Sequence, residues 1–484
     1  MDSTAVEIPA PEVVPLWIDN QPVSPGVTFP VTNPKTGKVV WEAAGATRDI
    51  AQAAVDSAAK AFLTWSCTPP KEKRRIFLKA ADLVRARRDE IIQTIVDETG
   101  STVEWAAGIN ADLGAEFLEE LASLATTCTM GYLPTTESDA RLAMVFKEPY
   151  GVIVGIAPWN APFILAIRAV AAPLICGNTA VLKASELSPK THSIVGRLLG
   201  DAGLPPGVLN IIQHSREDAA EVVGTLISHP AVRKINFTGS TAVGRAIAQQ
   251  AGRHLKPLLL ELGGKASCIV LEDADLVEAA RAVVTGGFLH HGQICMGTER
   301  VIVMRSIYTE FLSRLREEAA AFKGVGVAVT PAAAQKTASL VESAISQGAR
   351  LEYGEPLVNG SALQPTILSG LTKDMDLFYT ESFGPTISLM SVSGTDEAVA
   401  LANDTEYGLS AAIFSRDVSK AIMLARRLQT GACHINAMTV HDEATLPHGG
   451  VKASGFGRFG AQWGMDEFLQ TKTVTVLDTV ARKL

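Results

Sequence analysis

Lys234-Ile235-Asn236-Phe237-Thr238-Gly239-Ser240-Thr241-Ala242-Val243-Gly244 reads as a strand, a glycine turn and the start of a helix. Strand, glycine turn and helix N-terminus together are a common way to hold a phosphate, because the first amides of a helix have no internal partner. The turn is neither a GxGxxG nor a P-loop, since no Gly-Lys-Ser/Thr follows. Taken alone it fits an ordinary N-cap equally well, with a Ser or Thr side chain accepting from the orphan amides. Upstream, from Gly151, the short apolar runs 152–157, 179–183 and 209–213 are separated by helical stretches. That alternation predicts parallel strands with crossover helices, an α/β fold.

Further out, residues 49–65 and 71–98 read as helices, the second with Ile76, Ala80, Leu83 and Val84 on one stripe and Arg85, Arg87 and Arg88 on its solvated face. Beyond Arg300, a strand at 301–304 and a helix at 308–322 predict a second α/β unit. Residues 471–477 alternate Thr or Lys with Val as an exposed strand does, and 141–147 is similarly short and mixed. Both are expected to pair between subunits.

With 484 residues the chain has length for two or three domains. A formal net charge of -8 argues against nucleic-acid binding through a basic surface and favours a small-molecule partner. The 6 cysteines form no CxxC pair or metal-ligand spacing, so neither a metal site nor a disulfide framework is indicated, and a reducing compartment fits. Residues 1–16 lack the basic start and apolar core of a secretory signal, and the apolar runs stop short of spanning length. A cytoplasmic protein with no membrane partner is expected.

Three further stretches carry possible chemistry. Gly292-Gln293-Ile294-Cys295-Met296-Gly297 sets a thiol between glycines that allow close approach of a substrate, as a nucleophile needs. A lone cysteine is also, more often, a small buried hydrophobe. Leu260-Glu261-Leu262-Gly263-Gly264-Lys265 puts a carboxylate just before a Gly-Gly turn, where burial would make it a base for a thiol or a water. An exposed strand-end glutamate is the plain alternative, as it is for the charges of Lys183-Ala184-Ser185-Glu186. Between Glu261 and Cys295, residues 275–287 read as a helix. The loops around Glu381-Ser382-Phe383-Gly384-Pro385 and Pro447-His448-Gly449-Gly450 are rich in turn residues.

In order along almost the whole chain, Pro158-Trp159-Asn160, 183–186, Phe237 to Thr241, 261–265, 292–295 and 381–385 resemble the motif set of the NAD(P)-dependent aldehyde dehydrogenase superfamily. Each motif is modest; the ordered set is highly specific. The resemblance implies an aldehyde dehydrogenase-like fold: a Rossmann-like NAD-binding domain (1–127 and 150–257), a catalytic α/β domain (258–466) and a small β oligomerisation arm (128–149 and 467–484). It implies that the Cys295 thiolate attacks the aldehyde carbon. The Asn160 side-chain amide and the Cys295 backbone amide then stabilise the oxyanion. The adduct gives hydride to the nicotinamide, and Glu261 activates the water that hydrolyses the remaining thioester to the carboxylic acid. By the same resemblance, Lys183 and Glu186 face the adenosine ribose, Ser240 the pyrophosphate and Glu381 the nicotinamide ribose, with Pro158, Trp159, Phe237, Gly239, Leu262 and Phe383 completing the cofactor site. NAD is expected over NADP, because the Glu186 carboxylate accepts from a ribose hydroxyl but repels a 2′-phosphate. A homodimer or homotetramer is the family norm.

Within the family the chain looks similar to the salicylaldehyde and vanillin dehydrogenase branch, on Trp105, Arg168, His434-Ile435-Asn436 and Val440-His441-Asp442-Glu443. The branch implies that Trp105 and Arg168 line the aldehyde tunnel; read without it, Trp105 is a half-buried core ring and Arg168 a solvated charge. Departures from the family pattern are Ala184 for a proline, Ala161 where the salicylaldehyde type has glycine, Ser382 before Phe383, and residues 324–330, which run almost directly into a helix. A relative that passes the thioester to coenzyme A typically lacks the glutamate that Glu261 supplies. A non-catalytic protein on the same fold would have lost Cys295, Glu261 or Asn160.

Overall fold

The computed structural model describes residues 12–137 and 141–477. An eight-stranded sheet holds the parallel strands Leu258–Glu261, Val232–Thr238, Val152–Ile156, Thr179–Lys183 and Leu209–Ile212, in that spatial order. Short antiparallel strands, Gly455–Phe456 at one edge and Leu16–Ile18 with Gln21–Val23 at the other, complete it. The central strands are apolar and buried on both faces, as parallel strands covered by crossover helices must be. After Val152–Ile156 the chain adds two strands on one side, then crosses back to add two on the other. The crevice between Val152–Ile156 and Val232–Thr238 is therefore a topological switch point, where open α/β sheets take their ligands. Pro158-Trp159-Asn160 and Gly239-Ser240 stand at its mouth.

A second, seven-stranded sheet runs Arg350–Tyr353, Thr366–Ser369, Thr386–Val392, Thr298–Met304, Ala266–Val270, Ser410–Phe414, Ala432–Ile435, parallel except at its first pair. Leu258–Glu261, assigned from sequence to the start of the catalytic segment, hydrogen-bonds into the first sheet. The passage from one sheet to the other thus falls at residues 262–265.

The expected helix 71–98 is two, Pro70–Ala86 and Arg88–Thr99, broken at Arg87 with φ -109 and ψ 22. The apolar stripe would next need an apolar residue at 87 or 88, and both are arginines. Nor is the arginine run merely solvated: Arg85 pairs with Glu119 at 2.7 Å, Arg87 with Asp201 at 2.6 Å and Arg88 with Asp112 at 2.7 Å, tying the neighbouring helices together.

The mixed strands Arg141–Pro149 and Leu469–Leu477 pair antiparallel with each other within the chain, from Leu477↔Arg141 to Leu469↔Pro149. The sequence left them as separate partners for another subunit; their matching alternation satisfies both backbones at home. The ends of the proposed segments at 1–11, 138–140 and 478–484, and most of the expected leaderless stretch 1–16, lie outside the described residues. Among the described residues no helix is long and apolar enough to cross a membrane.

Candidate active site

Three loops entering the second sheet, 262–265, 292–297 and 380–385, converge where the first sheet ends. Glu261 closes the strand Leu258–Glu261 and is 1% exposed. A Cβ at Gly264 would stand 2.2 Å from the Cys295 carbonyl oxygen, so only glycine lets the crossing pass under the cysteine loop. Gly292 has φ +69, and a Cβ there would meet the Gly384 carbonyl at 2.1 Å. The crossing is stitched on both sides: Gly263 N donates to Thr241 Oγ1 at 3.2 Å, and Ser454 Oγ donates to the Gly263 carbonyl at 2.7 Å.

The cysteine loop is held from outside the sequence motifs. Gln293 donates to the carbonyls of His290 at 3.1 Å and Val327 at 3.0 Å, and accepts from Val329 N at 2.8 Å. The segment after Lys323, where the sequence departs from the pattern it resembles, therefore bears directly on the position of Cys295. Asn160 Nδ2 donates to the Gln293 carbonyl at 3.0 Å, two residues before the thiol. Trp105 is not half-buried but 3% exposed; its indole donates to the Asn160 carbonyl at 3.0 Å, and its ring stacks on His290 at 4.8 Å.

Burial is the largest influence on the Cys295 thiol, followed by the charge and hydrogen bond of Glu261; together they push its pKa well above the ordinary value, with Arg168 pulling the other way. Arg168 is the only charge in the otherwise apolar helix Pro162–Ile175. It is not a solvated charge. At 5% exposure it is ion-paired with Asp442 and flanked by the rings of Phe117 and Phe459, while its Nε has no partner. Glu261 Oε1 is likewise without a partner, 3.5 Å from His448 Nε2.

In the crevice, Ser240 occupies the N-cap of the helix Thr241–Arg253, yet its side chain makes no capping bond. The cap reading fails there, and the exposed hydroxyl is left for other use. Lys183 Nζ lies 3.5 Å from Glu186 Oε2. Burial alone would raise the Glu186 carboxyl, but Lys183, its own backbone amide and His214 bring it below the usual range. Glu381 accepts from Gly264 N at 2.8 Å; burial first and then the Glu299 charge raise its pKa to about 8. Glu299 in turn holds Lys265 and accepts from Ser382 N at 3.0 Å. Phe383, with φ 50, meets Trp159 edge to face at 5.9 Å. Phe237 and Leu262 are buried beneath the turn at Gly239.

The family model described as "Aldehyde dehydrogenase family" matches residues 17–474. The chain is a member of the aldehyde dehydrogenase family. It is 46% identical to a vanillin dehydrogenase of Pseudomonas fluorescens over 96% of this chain and 98% of that one. It is 41% identical to a salicylaldehyde dehydrogenase of Pseudomonas putida over 95% and 96% of the two chains. The crystal structure of a salicylaldehyde dehydrogenase from Pseudomonas putida complexed with salicylaldehyde superposes with a TM-score of 0.93 at 39% identity, covering 96% of this chain and 98% of that chain. This aldehyde dehydrogenase is thus an aldehyde-oxidising oxidoreductase that uses a nicotinamide cofactor, as the motifs implied.

Sequence reading missed His448, Asp442, Gln293 and Glu299 as parts of the site. His448 had a signal, a lone histidine before Gly-Gly in the most glycine-dense C-terminal loop, and Asp442 stood in a run used only as a mark of the branch. Gln293 and Glu299 had only their nearness to Cys295.

Proposed function

We propose that the enzyme oxidises aromatic hydroxyaldehydes of the salicylaldehyde and vanillin type to carboxylic acids, with NAD preferred over NADP. The observation that carries the reading is a partly buried thiol, Cys295, beside a buried carboxylate, Glu261, with the unpartnered Nε–H of Arg168 nearby. Cys295 rests as the thiol, so attack on the aldehyde carbon is coupled to loss of the Sγ proton to Glu261. The Asn160 amide, already aimed at the cysteine loop, turns to the developing oxyanion together with the Cys295 backbone amide. A bound nicotinamide supplies the acceptor for the hydride that leaves the thiohemiacetal carbon. Glu261 then takes a proton from the water that hydrolyses the Cys295 thioester.

The crevice fits a dinucleotide. The Ser240 hydroxyl and the first amides of Thr241–Arg253 suit a pyrophosphate. The Lys183 and Glu186 pair suits the adenosine ribose, and the buried Glu381 carboxylate the nicotinamide ribose. Pro158, Trp159, Phe237, Gly239, Leu262 and Phe383 form the walls. The domain division is 1–127 with 150–257, 258–466 and 128–149 with 467–484, except that its boundary at 258 moves to the sheet crossing at 262–265. Exposed Leu142, Phe146, Val474 and Val476 on the two-stranded arm support a homodimer or homotetramer. The six cysteines, all free, agree with a cytoplasmic setting.

The substrate class is tested on Arg168, whose Nε–H is a charged donor free to meet a ring hydroxyl. A hydrogen bond from a charged donor contributes about 1.5–3 kcal/mol, roughly ten- to a hundredfold in kcat/KM. Arg168→Met is expected to lower the ratio of kcat/KM for salicylaldehyde to that for benzaldehyde by this factor. Using the ratio cancels any loss of folded enzyme. An equal fall on both aldehydes would remove Arg168 from substrate recognition.

A further inference from the structure

His448 is fixed in place by its backbone, which donates to the Phe459 carbonyl at 3.0 Å and accepts from Phe459 N at 2.7 Å. Its ring is 8% exposed. Nε2 lies 3.5 Å from Glu261 Oε1, a separation too long for a well-formed hydrogen bond, and neither atom has any other partner. On the ring's other edge, Nδ1 lies 3.8 Å from Asp442 Oδ1, and Asp442 Oδ2 is held by Arg168. Two buried polar atoms facing each other without other partners carry a desolvation cost that calls for an explanation, and a proton passed between them supplies one.

The geometry says at which stage. A neutral imidazole has one N–H, and the Asp442 carboxylate draws it to Nδ1. Nε2 then presents a lone pair to Glu261 Oε1. A lone pair repels a carboxylate but accepts from a protonated carboxyl. The arrangement is therefore matched to the moment when Glu261 carries a proton, and it provides that proton a destination. We infer that His448, oriented by Asp442, is a positioning residue for Glu261 and receives at Nε2 the proton that Glu261 collects.

This rests on Glu261 being the base. As Cys295 attacks, its S–H bond breaks and an O–H bond forms on Glu261. That O–H bond breaks as the proton joins His448 Nε2, restoring the carboxylate and leaving an imidazolium whose Nδ1–H points at Asp442. In hydrolysis a water O–H bond breaks while its oxygen bonds to the thioester carbon, and that proton follows the same route; the C–S bond then breaks, and the leaving Cys295 sulfur regains its proton from the carboxylic acid released. The imidazolium discharges to solvent past Asp442, whose side chain is 11% exposed.

The charged and titratable groups facing His448 are Glu261 from its strand, Arg168 from the helix Pro162–Ile175, Arg458, Asp442 from its own loop, and His434 from the strand Ala432–Ile435. Burial and then Arg168 lower its pKa from the ordinary imidazole value, with Glu261 opposing and Arg458 adding to the fall. The ring accepts at Nε2 while it is neutral, and the route closes once falling pH protonates it.

The test uses the full-length enzyme with saturating NAD and salicylaldehyde, following reduced cofactor by stopped flow across pH. For His448→Phe and His448→Gln, the expected result is a retained burst and a steady state slowed roughly ten- to a hundredfold, at or below the usual contribution of positioned proton transfer. The acid limb assigned to His448 is lost in both. Added imidazole restores turnover in His448→Ala. Unchanged turnover and pH profile in both variants overturn the inference. So do burst and steady state falling together without imidazole rescue, which would mean that His448 only props the cysteine loop. Glu261→Gln is the control: wild-type turnover in that variant defeats the assignment of the base, whereas its loss with a normal His448→Phe defeats the relay alone.

Discussion

The switch-point crevice and the thiol pocket meet at the crossing 262–265, and they are assembled in opposite ways. In the crevice each group follows directly from the end of a parallel strand: Pro158 to Asn160 after Val152–Ile156, Lys183 and Glu186 at and after Thr179–Lys183, Ser240 after Val232–Thr238. The pocket gathers Asn160 with Arg168, Glu261, Cys295, and Asp442 with His448 from four separate stretches of chain. Its charges are more deeply buried: the Arg168 and Asp442 side chains are 4% and 11% exposed, against 11% and 32% for Lys183 and Glu186. A site made of strand ends tolerates the change of one group. A site made of interlocked buried charges does not, because removing one partner strands the other.

The largest expected effect separates chemistry from binding. Cys295→Ala should abolish aldehyde oxidation while leaving NAD affinity, measured by fluorescence titration, as in the parent enzyme. Substantial residual turnover would take the nucleophile out of the pocket altogether.

Next comes stability. Arg168→Met leaves Asp442 buried and unpaired, at a cost of about 3–5 kcal/mol. Denaturant melts should show it, and Asp442→Asn added to the same chain should recover part of the loss. A midpoint unmoved by Arg168→Met would erase the contrast in burial between the two regions.

The smallest effect belongs to the crevice. Glu186→Gln should change stability by no more than about 1 kcal/mol, since the pair is partly solvated. The preference for NAD over NADP should narrow roughly tenfold as the repulsion of a 2′-phosphate is lost, the equivalent of about 1.4 kcal/mol. Preference ratios of kcat/KM read it directly, and an unchanged ratio would place cofactor choice elsewhere in the crevice.

The difference in assembly also explains what could be read in advance. The run from Gly151 to Gly244 announces itself because strand, turn and helix N-terminus are consecutive, and hydrophobic periodicity reports local structure well. The break at Arg87 was missed because the stripe, interrupted at 87 and 88, resumes in phase at Ile91 and Ile92. Trp105 and Arg168 were placed near the substrate by resemblance, but nothing local to them indicates a stacked partner at His290 or an ion pair with Asp442.

The sequence by itself determined the α/β class, the ordered motifs, and Cys295, Glu261 and Asn160 as the candidates for chemistry, since each of these is written in contiguous residues. Only the tertiary structure decided that Ser240 caps nothing, that Gln293 anchors the cysteine loop on Val327 and Val329, and that His448 faces Glu261. Those facts depend on which distant loops are folded into one dry space. There a charge must find a partner, and which partner it finds is fixed by packing rather than by neighbours in the chain.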